Sequence, residues 1–134
     1  NIMASVAFAS YNILIKTGLD VSELRKKLDE FIESESIIVR KESKKSVRDV
    51  DIKPMIHKLE LFNCEADKTI MCISALLSAG SSENLKPELL FTALKEKCIH
   101  DISLAGIHRT GLYILQKGRM VKPLNPDAVM GQKD

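Results

Sequence analysis

An α+β fold is what this sequence predicts, on three observations. Six stretches show strand-like alternation or β-branched density and only two show helical spacing. Each helical stretch has a single apolar stripe. The 134 residues suffice for one domain with a real core but hardly for two. Two one-sided helices laid on a mainly antiparallel sheet with one buried face is the economical layering. A ferredoxin-like sandwich, with two helices on one face and an extra hairpin, is therefore the specific expectation, over residues 1–115, followed by a polar tail over 116–134. The other sheet face is left open, to be solvated, bound to a partner, or covered by another part of a longer protein.

The elements follow in order. Residues 6–16 are rich in β-branched and aromatic side chains and read as the first strand, stopped by Thr17 and Gly18. Asp20 is an N-cap with Glu23 at the capping-box position, and Val21, Leu24, Leu28, Phe31 and Ile32 form the stripe of the first helix. Its mixed-charge outer face reads as solvated. Residues 36–40 and 47–52 pair as a hairpin with a basic tip at Lys44 and Lys45. Pro54 interrupts the ladder by removing a backbone N–H. A strand over 56–62 turns into 69–78, apolar nearly throughout and so central. Pro87 and Glu88 open a second helix with a stripe of Leu89, Leu90, Ala93 and Leu94, ending near Lys97. Residues 107–115 are the last strand, with Gly111 permitting a bulge.

Composition narrows the function classes. Hydrophobic residues at 45% and charged ones at 28% describe an ordinary globular domain. Aromatics at 4%, with no Trp, leave few rings to spare for a base-stacking surface. The net charge of +2 argues little by itself, but residues 40–58 hold seven Lys or Arg against three acids, a local +4 that leaves −2 for the rest. Three scattered cysteines without a C-x-x-C pair point to a reduced intracellular chain and exclude the close triplet that holds an iron–sulfur cluster. No apolar run is long enough to span a bilayer and no basic leader precedes 2–9, so the cytoplasm is the default. The chain begins with Asn, as an excised piece of a longer protein would.

Catalytic motifs are sparse. His57, His100 and His108 lack the spacing of a metal site, so no metal or cofactor is expected. No Gly-x-Ser-x-Gly elbow exposes a nucleophile, and no Walker or dinucleotide loop is present. Asp49 and Asp51 lie on one side of a strand, flanked by Arg48, Lys53 and Arg109, and Asp51 is the candidate acid. The plainer reading is cross-strand charge pairing. Arg109, inside an apolar strand, needs a partner if buried, and Asp49 or Asp51 would supply one, as would a phosphate.

A resemblance adds to this. Tyr11-x-Ile13, Ile37-Ile38-Val39-Arg40, the Lys44-Lys45 pair upstream of Val50-Asp51-Ile52-Lys53-Pro54, Ile56-x-x-Leu59, Leu85-Lys86-Pro87-Glu88 and Ile107-x-Arg109-Thr110-Gly111-Leu112 together resemble the C-terminal half of the bacterial radical SAM-linked protein family, a domain of unknown function. The resemblance spans residues 5–115. It implies a partner of a radical SAM enzyme, with RNA modification or maturation as the setting, and an N-terminal half of the same protein as a second partner. Three functions follow. The first is an RNA-binding accessory domain in which Lys44, Lys45, Arg48, Lys53 and Arg109 contact phosphates. The second is a module whose open face docks the radical SAM enzyme. The third is an RNA-modifying enzyme, similar in layering to pseudouridine synthases, using Asp51.

Overall fold

Alternation along the first strand, β1 (Ala7–Thr17), decides the layering: Ala9, Ile13 and Ile15 are buried, while Ser10, Asn12 and Leu14 remain partly accessible. The computed structural model describes residues 7–116 and 119–121. After β1 come α1 (Val21–Glu33), β2 (Ile38–Glu42), β3 (Val47–Asp51), a single 3-10 turn (Lys53–Met55), β4 (Ile56–Asn63), β5 (Ile70–Ser78), α2 (Pro87–Lys97), β6 (Ile102–Gln116) and β7 (Arg119–Val121). One antiparallel sheet has the order β4-β5-β1-β6-β7, and β2 pairs with β3 in a separate hairpin. The crossovers β1-α1-β4 and β5-α2-β6 each skip one strand and interleave, which is the ferredoxin-like arrangement the element order predicted.

The core sits between the sheet and both helices. Ile13, Ile15, Ile73 and Leu77 from the sheet meet Leu24, Leu28 and Phe31 of α1 and Leu90, Ala93 and Leu94 of α2. Caps fall where the sequence placed them. Asp20 Oδ1 accepts the Glu23 N–H at 2.8 Å, and Pro87 stands in the first turn of α2, where its missing N–H costs nothing. Val21, expected in the apolar stripe of α1, is instead exposed. At Gly18 an added Cβ would lie 2.8 Å from Asp101 Oδ2, the far end of an exposed side chain, and that oxygen accepts the Gly18 N–H at 3.1 Å.

Two boundaries differ from the sequence reading by more than two residues. β6 begins at Ile102 rather than 107, because register shifts opposite Leu14/Ile15 and Ser10/Tyr11 break its alternation and disguise its first half as loop. β7 lies inside the stretch read as tail, pairing with β6 from Ile114↔Val121 to Gln116↔Arg119. The rest of that stretch lies outside the described residues.

Candidate nucleic-acid interface

The hairpin is inserted between α1 and β4, and its two ends behave differently. At the base, Ile37, Val39 and Ile52 are buried in the common core. Asp51 Oδ1 accepts two backbone amides, from Ile37 at 2.8 Å and Lys53 at 3.0 Å. The Lys53 ammonium donates to the carbonyls of Ile32 at 2.6 Å and Ser34 at 3.0 Å, so a cation closes the last turn of α1, where the helix dipole favours it. These bonds bind the hairpin to the end of the helix.

Beyond Val39 and Val50 the hairpin leaves the core, and every residue from Arg40 to Asp49 is exposed. Val39 and Val50 face inward, and Lys41 and Arg48, directly opposite each other, continue that face beyond the core. On the other face Arg40 stands opposite Asp49. The turn itself is held by Ser43 and Ser46, whose backbone and hydroxyls bond across it at 2.8–3.3 Å. Lys44 and Lys45 are thus carried on a fixed turn. Among the described residues the one ion pair is Lys58–Glu60, at 3.4 Å, on β4. The cations of the tip have no acid partner among the described residues.

The residues singled out from the sequence are therefore not one group. Lys44, Lys45 and Arg48 come together at the tip, joined by Arg40 and Lys41, which the sequence reading passed over. Lys53 belongs to the base. Arg109 lies on β6 opposite Tyr11, on the helix-bearing side of the sheet, with β1 and β5 between it and β4. That is about 14 Å at the usual strand spacing. Arg109 is exposed, since the helix layer does not cover it. The expected Asp51–Arg109 pair does not form: the two stand in different sheets, and the Asp51 carboxylate is already engaged by amides.

Among the described residues no helix covers the opposite sheet face. A register shift between Ile56 and Lys58 turns His57 onto it beside Lys58. The His57 ring meets Phe8 edge-on with centroids 4.8 Å apart, and its Nε2 is 2.8 Å from Ser78 Oγ. Ser78, 3% exposed, donates to Glu83 Oε1 at 3.3 Å. A hydroxyl has one proton. With that proton on the Glu83 side, Nε2 must carry a proton to bond Ser78, which in the neutral ring makes Nδ1 the acceptor. The chain is not a catalytic triad, because the acid takes the serine proton instead of orienting the histidine, and the serine is buried.

Tyr113 pairs with Phe8 across the β1–β6 ladder, and its ring lies over Gly111, where a Cβ would come within 2.7 Å of the phenol oxygen. Phe62 is 51% exposed on the same face of β4. Half of the chain's six Phe and Tyr therefore stand on the open face. Phe8 and Tyr113 are neighbours there, whereas Phe62, opposite Cys72, lies six residues along the ladder from them.

Burial pushes Cys72 and Cys98 upward from the ordinary thiol range, and the Cys98 thiol donates to the Lys27 carbonyl at 3.0 Å. No group of three or more His, Cys, Asp or Glu converges as metal ligands among the described residues. No helix among them is long and apolar enough to cross a membrane.

Comparison with known proteins gives one match. A model of the family described as "Uncharacterized protein conserved in bacteria (DUF2344)" matches residues 1–87, taking in β1 to β5 with the hairpin and ending at the first residue of α2. Neither the curated proteins nor the solved structures contain a match.

Proposed function

The chain belongs to this uncharacterised bacterial family, and we propose that it is an RNA-binding accessory domain whose hairpin tip holds phosphates. One observation supports the reading above the others. Arg40, Lys41, Lys44, Lys45 and Arg48 stand exposed on an anchored hairpin with no carboxylate among the described residues paired to them. Two neighbouring acids, Glu42 and Asp49, leave the tip at +3. Cations crowded on one element repel each other, and a polyanion relieves that repulsion while releasing its own counterions. The base holds the tip in place, so less ordering entropy is lost on binding than for a free basic tail.

The radical SAM enzyme remains the proposed partner, on the strength of the sequence runs that carry the resemblance. In that scheme the enzyme performs the chemistry and this domain supplies affinity for the RNA. The enzymatic alternative is weaker, since Asp51 accepts two amides at the hairpin base.

The test is a salt series. Anisotropy of a labelled structured RNA, read across a range of NaCl, should give a log–log slope of about −0.7 to −0.9 for each phosphate neutralised. The triple variant K44A/K45A/R48A should make that slope shallower by about 2. Binding that is undetectable or independent of salt overturns the proposal.

A further inference from the structure

The open sheet face carries two rows of side chains that the hairpin reading does not use. Along one, His57, Phe8 and Tyr113 stand side by side across β4, β1 and β6. Four residues further along β1, beyond the row of Lys58, Leu76 and Ser10, runs a polar row, from Glu60 through Ser74 and Asn12 to His108, each directly opposite the next in the ladder. Asn12 and Ser74 are partly buried, yet neither side chain bonds to another described residue, and the same holds for His108. Their neighbours are satisfied, as the Ser10–Thr110 hydroxyl bond at 2.8 Å shows.

We infer that this face binds the bases of single-stranded RNA, the rings by stacking and the polar row by hydrogen bonds to base edges. The inference rests on the proposed function for its phosphate contacts and adds the form of the RNA. A nucleobase offers a flat π surface and an edge of donors and acceptors, and the two rows, about 13 Å apart at the usual strand rise, present the complements of these to different nucleotides of one strand. In a duplex those surfaces are stacked and paired, so only an unpaired strand can use them. A dry protein surface fits less well, because it would strand Asn12 and Ser74 without partners. Gly111 contributes by leaving room for the Tyr113 ring to lie down along the strand. His57, with Nε2 committed to Ser78, presents Nδ1 as an acceptor.

The experiment compares a short mixed-sequence oligoribonucleotide, single-stranded and as a duplex, on the wild type and on F8L, Y113L, Y113F and N12A, with thermal unfolding of each variant as control. The expected result is preference for the single strand, a loss of about ten-fold in its affinity for each ring removed, retention in Y113F, and no change for the duplex. N12A should alter the ranking of homopolymers. The chain has no Trp and two Tyr, Tyr11 and Tyr113. Should the leucine variants not fold, tyrosine emission decides on folded protein: single strands should quench it in the wild type and in Y11F but not in Y113F, and equal quenching in Y113F overturns the inference. Equal affinity for both forms with silent ring variants, while K44A/K45A/R48A still weakens binding, overturns this inference and leaves the hairpin reading standing. Absence of binding to either form removes both. A dimer in sedimentation that Y113L dissociates without affecting RNA affinity assigns the face to a second copy and also overturns it.

Discussion

The base and the tip of one hairpin are made of the same residue types and do opposite things. At the base, Asp51 and Lys53 direct their charges at backbone amides and carbonyls. At the tip, Lys44, Lys45 and Arg48 direct theirs at solvent. The difference is one of surroundings. Where the chain meets the end of α1, unsatisfied helix carbonyls and a turning backbone offer partners for a charge. A few residues further out nothing does. A charged stretch therefore has no single role, and each cation has to be assigned by what it touches.

The largest expected effect comes from the base. Ile52 is fully buried at the point where the hairpin returns to the core. Ile52→Ala should cost about 2–5 kcal/mol in chemical denaturation, by transfer and cavity terms together. Asp51→Ala should cost about 1–2 kcal/mol, since two amides lose their acceptor. Lys53→Met is smaller, about 1 kcal/mol, because the side chain is half exposed and water can reach the freed carbonyls. A neutral result for Ile52→Ala would break the distinction between base and tip.

On the same measurement the tip should be silent. K44A/K45A/R48A is expected to change stability by no more than about 0.5 kcal/mol, as exposed substitutions do when no partner is lost. Arg109→Leu, exposed as well, should cost less than about 1 kcal/mol and show no coupling to Asp51 in a double-mutant cycle. Clear coupling would mean that the two residues meet after all.

The smallest effect sits in the β4–β5 turn, away from the hairpin, and sharpens what a hydrogen-bonded carboxylate looks like. The Thr69 hydroxyl and then its amide, with Lys16 adding its charge, hold Asp67 below the usual carboxylate range. A lowered value favours the folded state above the ordinary carboxylate range, and that contribution disappears as pH falls through it. Thr69→Val should raise the Asp67 midpoint in an NMR titration toward the ordinary value. An unmoved midpoint would contradict the assignment.

Much of the fold could be read from period and punctuation. Asp20 with Glu23, Pro87 with Glu88 and the alternation of β1 mark local features that tertiary contacts do not override. β6 was half hidden because bulges destroy the alternation by which strands are recognised. The site was less legible. That Lys53 reaches back to Ile32 and Ser34 depends on how a hairpin packs against a helix, and no local pattern encodes it. Arg109 looked buried because its sequence neighbours are apolar, whereas its exposure follows from where the helix layer ends. The Phe8, His57 and Tyr113 row needed the strand order before three distant positions could be seen as neighbours.

One measurement bears most directly on the division between tip and base: the salt dependence of RNA affinity for the wild type, K44A/K45A/R48A and Lys53→Gln, taken side by side. The tip variant should show a slope shallower by about 2, while Lys53→Gln, although less stable, should keep the wild-type slope. If Lys53→Gln flattens the slope as a lost phosphate contact would while the tip variant leaves it unchanged, phosphate is held at the base, and the roles assigned to the two ends of the hairpin are wrong.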